Sequence, residues 1–121
     1  ALVQFIEGSL LENPLELPKM DLIVSNPPYV PLGDQAGMHA NVVDFEPHLA
    51  LFVPDEDPLV FYRAIGIWGQ RLLKREGKLY LEIYENLSEE LVQLLQSLGY
   101  TQVNVHQDLN GKNRMITCYW P

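Results

Sequence analysis

The sequence contains a single cysteine, Cys118, so no intrachain disulfide can form and a reducing cytoplasm is the expected setting. It is also short of cations, with 8 Lys and Arg against 16 Asp and Glu and a net charge of −8. Nucleic-acid binding draws on clustered Lys and Arg. The nearest thing to a cluster is Arg71, Lys74, Arg75 and Lys78, with Glu76 inside it. It reads as the cationic C-terminus of a helix, and no direct nucleic-acid partner is expected. No apolar run approaches the ~20 residues of a membrane span, which argues against a membrane partner. The first residues lack a basic stretch followed by a long apolar core, so no signal peptide is expected there. His39, His48 and His106 have no metal-ligand spacing with Cys118 or with acids, and no metal site is expected. Internal repeats and low-complexity tracts are absent.

What is present suits one domain with one core: 121 residues, 47% hydrophobic and 20% charged. Val3-Gln4-Phe5-Ile6 reads as a strand broken by Gly8-Ser9. Met20 to Ser25 reads as a second strand, its near-continuous apolar character suiting a strand covered on both faces. Residues 30 to 57 form a long proline-marked segment whose apolar content predicts an ordered, packed loop. Asp57-Pro58 predicts a helix start. Phe61, Ile65, Trp68 and Leu72 follow as its core stripe, and the helix is expected to end near Gly77. Asp55, Glu56 and Asp57 read as a helix-start charge cluster. Leu79 to Ile83 reads as a third strand. Asn86 with Glu89 resembles a capping box. It precedes a helix with an apolar face of Leu87, Leu91, Leu94, Leu95 and Leu98, and Gly99 stands as its C′ residue. Val103 and Val105 mark a fourth strand, Asn110-Gly111 a turn, and Met115 to Trp120 a fifth strand. Alternating strands and helices predict an α/β layer of mostly parallel strands, closed by an antiparallel hairpin. Asp108 and Arg114 are expected to pair across the final turn.

The most informative feature is Asn26-Pro27-Pro28-Tyr29, directly after the Leu22-Ile23-Val24 run. Such a tetrapeptide arises by chance in fewer than about one in a thousand chains of this length. It stands at a strand end, where ligands sit in open α/β sheets. An amide or exocyclic amine nitrogen is a poor nucleophile because its lone pair is delocalised. A site helps by accepting hydrogen bonds from both N–H groups, which aims the lone pair and stabilises positive charge growing on nitrogen. The Asn26 side-chain oxygen supplies one acceptor. The Pro27 carbonyl supplies the other, held stiff because both rings fix φ and Pro28 restricts Pro27. Tyr29 offers an aromatic face for a planar substrate or a cationic donor. Catalysis there is positioning and electrostatics.

Asp21 through Pro31, with the Asn-Pro-Pro-Tyr element at its centre, resembles the methyltransferase core of the HemK/PrmC family. The likeness continues through Phe45-Glu46-Pro47-His48-Leu49-Ala50-Leu51, Phe61-Tyr62-Arg63, Leu81-Glu82-Ile83 and Asp108-Leu109-Asn110-Gly111 with Arg114. It implies a partial Rossmann-like class I methyltransferase fold, with S-adenosyl-L-methionine as methyl donor. The implied reaction is methylation of the glutamine side-chain amide (N5) in the Gly-Gly-Gln loop of class 1 peptide chain release factors. Asn26 and Pro27 would be catalytic, Asn26 to Tyr29 would bind the substrate, and Ser9, Leu10 and Asn26 would lie against the donor. The family often has an acidic residue where Ser9 stands and glycine where Tyr84 stands. Glu46 would touch substrate or simply stiffen a turn. The alternatives are a glutamine in a ribosomal protein, adenine N6 in a nucleic acid, or a non-catalytic module that kept the fold. The Asn-Pro-Pro-Tyr element is shared with adenine methyltransferases, and the Phe45–Leu51 segment favours glutamine.

The resemblance also implies that residues 1–121 are the C-terminal portion of a methyltransferase domain. The family's first two strands, glycine-rich donor loop, ribose-binding acid and N-terminal helical domain would lie upstream of residue 1. Gly33 to Gly37 does not replace the loop, and the 121 residues alone are expected to be inactive. In the family's sheet order, 3-2-1-4-5-7-6, two strands would separate Val3–Ile6 from Met20–Ser25. The second of these would then expose an apolar edge, which predicts self-association or strand exchange.

Overall fold

The apolar run after Lys19 becomes strand β1 (Met20–Ser25) in a computed structural model that describes residues 2–28, 30–31, 52–53 and 57–121. Two short strands, β2 (Val30–Pro31) and β3 (Phe52–Val53), form a separate parallel pair. Helix α1 (Val60–Leu72) crosses from β1 to β4 (Leu73–Glu82), and a 3₁₀ turn (Glu85–Leu87) leads into helix α2 (Ser88–Ser97). The chain closes with β5 (Thr101–Gln107) and β6 (Asn113–Tyr119). The main sheet has the order β1-β4-β6-β5. It is mixed: β1 and β4 are parallel, and β6 is antiparallel to both of its neighbours. That is the 4-5-7-6 half of the order implied by the resemblance.

The core lies between the sheet and the two helices. Leu79, Leu81 and Ile116 are fully buried on one sheet face, with Leu91 and Leu95 of α2 and Tyr62 and Ile65 of α1 packed into the same cluster. Alternation puts Lys78, Tyr80 and Glu82 on the opposite face. Register aligns Leu22 and Val24 of β1 with Lys78 and Tyr80 there. The Lys78 ammonium sits 4.6 Å from the Tyr80 ring centroid and 5.3 Å from that of Tyr119. Leu22 and Val24 remain 50% and 70% exposed, so β1 is covered on one face rather than on both.

Several local expectations change. Val3–Ile6 is not a strand: residues 2–9 carry no regular structure, and Val3 and Phe5 are exposed. A strand exists through its ladder partner, and no described strand pairs with this segment. Helix α1 starts at Val60, because the Asp57 carboxylate is taken by the Arg63 guanidinium at 2.8 and 3.3 Å instead of capping the helix. It ends at Leu72, well before Gly77. Leu73 turns extended and buries its side chain, and the chain then bulges: Met20 pairs with Leu73, but Leu22 pairs with Lys78. Arg71 therefore lies in the last helical turn, while Lys74, Arg75 and Lys78 lie on β4. Tyr62, not Phe61, fills the core position with Ile65 and Leu72, because its hydroxyl reaches the Glu82 carbonyl. Trp68 is half-buried and reaches outward to the 9–12 turn.

The Asn86–Glu89 capping box does not form: Leu87 is the N-cap and has no side-chain bond. At the other end, the Tyr100 N–H donates to Leu95 and the Gly99 N–H to Gln96, with Gly99 at φ +100°. This is the double bond pattern of a Schellman cap, which needs a left-handed residue and so favours glycine.

Candidate functional site

β1 and β4 run parallel, so their C-terminal ends open at the same edge of the sheet. Ser25 pairs with Leu81. One residue further on, Asn26 follows β1 and Glu82 ends β4 at that same edge. Asn26 is exposed, Pro27 is buried and Pro28 is half-buried. A buried proline anchors the segment, while the amide before it is open to solvent. Tyr29 lies outside the described residues, as do His39, Glu46, His48 and the rest of the Phe45–Leu51 motif.

The β4 side of this edge is tightly held. The Tyr62 hydroxyl donates to the Glu82 carbonyl at 2.7 Å. The Ile83 N–H donates to the Arg114 carbonyl at 2.9 Å, and the Ile83 side chain is fully buried. Tyr84 is half-buried, its carbonyl accepts from the Leu87 N–H at 3.0 Å, and its hydroxyl accepts from the Asn86 amide at 3.4 Å.

The hairpin turn beyond β5 lies at the same end. Asp108 Oδ1 accepts from the N–H groups of Asn110 and Lys112 at 2.8 and 3.0 Å, and Arg114 Nε lies 3.5 Å from Asp108 Oδ2. The Lys112 N–H above all, then that of Asn110 and the Arg114 guanidinium, holds the Asp108 carboxyl below its ordinary range. Asp108 and Arg114 thus pair across the turn, and their side chains are spent on shaping it.

Ser9 and Leu10 lie in a different place from Asn26. The Ser9 hydroxyl accepts from the Leu11 N–H at 3.3 Å, and the turn is tied to α1 by Trp68 Nε1, which donates to the Leu10 and Glu12 carbonyls at 3.0 and 3.2 Å. Leu10 lines a cavity of about 360 Å³ with Ile23, Ser25, Ile65, Trp68 and Leu72 along the edge of β1 away from β4. Neither Ser9 nor Asn26 lines it, so the structure brings Leu10 to within one residue of Asn26 but does not join the three in one pocket. The cavity's apolar wall fits a flat ring such as adenine. Among the described residues it offers no carboxylate for ribose hydroxyls, so it fits only part of a nucleoside sulfonium donor.

Glu82 and Tyr62 are the residues that sequence reasoning passed over. Both fall within segments of the resemblance, yet neither was given a role. The sequence carried no signal for Glu82, whose place at the Asn26 edge follows only from the β1–β4 register.

No family model matches the chain. It is 50% identical over 97 residues to the release factor glutamine methyltransferase of Bacteroides thetaiotaomicron, which covers 80% of this chain and 35% of that protein. It is 42% identical over 114 residues to the enzyme of the same name from Flavobacterium psychrophilum, covering 94% of this chain and 40% of that one. A bifunctional methyltransferase of Rickettsia bellii is 38% identical over 94% of this chain and 20% of its own length. Among solved structures, a release factor-specific protein-(glutamine-N5) methyltransferase from Alicyclobacillus acidocaldarius aligns over 87% of this chain and 83% of that chain, with a TM-score of 0.47 and 15% identity. The chain spans well under half the length of the curated relatives it matches, and the match falls in their C-terminal part. By sequence, the chain is similar to the C-terminal part of release factor glutamine methyltransferases over 80% and 94% of its own length in the two comparisons above.

Proposed function

We propose that the protein carrying this chain transfers a methyl group to the side-chain amide nitrogen (N5) of glutamine in the Gly-Gly-Gln loop of a class 1 release factor. The carrying observation is the placement of Asn26-Pro27-Pro28 at the C-terminal end of β1, with Pro27 buried and Asn26 open, in a chain half identical to a protein of that name. The Asn26 oxygen and the Pro27 carbonyl would accept the two amide N–H bonds, leaving the nitrogen lone pair facing away from both. Pro28 and Tyr29 would hold the glutamine side chain. S-adenosyl-L-methionine would supply the methyl group as a sulfonium. Leu10 would lie against its adenine, with Ser9 and Asn26 nearby, and the remaining contacts would come from elsewhere in the protein.

No helix among the described residues is long and apolar enough to cross a membrane. Action on a translation factor would place the protein in the cytoplasm, without direct nucleic-acid contact. The outer edge of β1, unpaired among the described residues, further supports self-association of the isolated 121 residues, which on this reading bind the donor poorly by themselves.

The test is methylation of purified release factor by the full-length protein, with the modified residue located by mass spectrometry. Asn26→Ala is expected to cut turnover by about 100-fold or more, the order seen for loss of one oriented hydrogen-bonding group, with donor affinity little changed. Unchanged turnover sinks the amide-holding mechanism. Methylation appearing only on a ribosomal protein glutamine would move the substrate while leaving the chemistry in place.

A further inference from the structure

Glu82 ends β4 at the edge where Asn26 follows β1. The Ser25–Leu81 pairing fixes that neighbourhood, and adjacent strands lie about 4.8 Å apart. Burial alternates along β4, with Leu79, Leu81 and Ile83 buried, so the Glu82 side chain leaves the sheet on the face opposite the helices. Val24, two residues before Asn26, points to that same face, as its pairing with Tyr80 requires.

The backbone of Glu82 is unusually well fixed. Its carbonyl takes the buried Tyr62 hydroxyl at 2.7 Å, Met115 of β6 pairs with it, and the next amide donates to Arg114. The backbone that carries this carboxylate is thus held at the same sheet edge as Asn26. A glutamate side chain is long enough to meet a group held by its neighbour, directly or through one water.

We propose that Glu82 is the proton acceptor of the amide site. This rests on the methyl-transfer reading above and adds a residue to it. As the amide nitrogen forms its new bond to carbon, the carbon–sulfur bond of the sulfonium breaks and its electron pair stays on sulfur, giving a neutral thioether. The nitrogen then carries an excess proton. That proton passes to the Glu82 carboxylate, the N–H electron pair restores the nitrogen lone pair, and the carboxylic acid returns the proton to water. Asn26 and the Pro27 carbonyl orient the nitrogen but are far too weakly basic to keep a proton, whereas a carboxylate is the base that this sheet edge supplies.

The experiment compares wild type, Glu82→Gln and Glu82→Asp in the full-length protein. It reads kcat and KM for release factor across pH, glutamine-peptide affinity by calorimetry, and Tm. Glu82→Gln is expected to lower kcat by about 100-fold, the usual scale of general-base catalysis. KM, peptide affinity and Tm should stay near wild type, and the acid limb of the kcat profile should disappear. Glu82→Asp should recover part of kcat and restore the limb. Wild-type kcat and an intact acid limb in Glu82→Gln overturn the proposal while leaving methyl transfer standing. A fall in both variants that follows Tm or peptide affinity also overturns it, as a structural role. A wild-type protein that methylates no glutamine removes both readings together.

Discussion

The two sides of the four-stranded sheet are built to different standards. On the side of β4, β6 and β5, Leu79, Leu81, Ile116 and Cys118 are all fully buried, and burial lifts the Cys118 thiol to about 12, leaving it an inert core residue. The Tyr100 ring packs edge-on against Trp120 at 5.2 Å, and its hydroxyl reaches the Gly66 carbonyl at 2.6 Å. On the side of β1, half or more of Leu22 and Val24 meets solvent, and the segment before the strand exposes Leu2, Val3 and Phe5. The candidate site lies on the seam, with Glu82 on the closed side and Asn26 on the open one. Parallel pairing lets the closed side set the position of the open side: the ladder from Leu22 to Ser25 brings Asn26 to the end of a strand whose alternate side chains are fully buried.

The difference is measurable as stability. Leu81→Ala removes a fully buried side chain and is expected to cost about 3 kcal/mol in urea unfolding, within the usual range for buried leucine. Leu22→Ala, on the neighbouring strand but half exposed, should cost about 1 kcal/mol or less. Equal losses would mean that the open side is as well packed as the closed one and would end the distinction. An effect between these two is expected at Gly69, where an added Cβ runs into the Tyr100 hydroxyl. Gly69→Ala should cost about 1–3 kcal/mol through overpacking. Tyr100→Phe removes the colliding oxygen, so the double variant should lose less than the sum of the two single ones. Strict additivity would show that the helix shifts away rather than straining the contact.

These same contacts explain what the sequence could reveal. Period-2 burial in β4 and leucine spacing in α2 announce themselves, because each is set by one face against one core. The Asn26-Pro27-Pro28 element was legible for a related reason: proline stiffness and amide chemistry are properties of the residues themselves. The boundary of α1 was not, since Asp57 had two uses for its carboxylate and only the folded chain shows Arg63 winning it. Val3–Ile6 has the composition of a strand, but a strand is a relation between segments and composition names no partner. Glu82 became visible only through register, because its nearness to Asn26 spans more than fifty residues of sequence and exists solely as β1–β4 pairing.

The open side makes the last prediction, and the smallest in stability. Val24 is 70% exposed on a strand with no described neighbour on its outer edge. An edge of unpaired N–H and C=O groups carrying apolar side chains is a template for another strand, and lysine is the residue that natural sheets use to blunt it. Val24→Lys should therefore change unfolding free energy by no more than about 0.5 kcal/mol, yet lower the mass that light scattering reports for the 121-residue chain at high concentration. Strand β4 provides the control: Lys78, Tyr80 and Tyr119 already place a cation between two rings on the same face, where β1 and β6 flank β4 and leave it no free edge. A wild-type chain that stays monomeric throughout would show that exposure of β1 alone does not drive association, and the open side would then differ from the closed side in packing only.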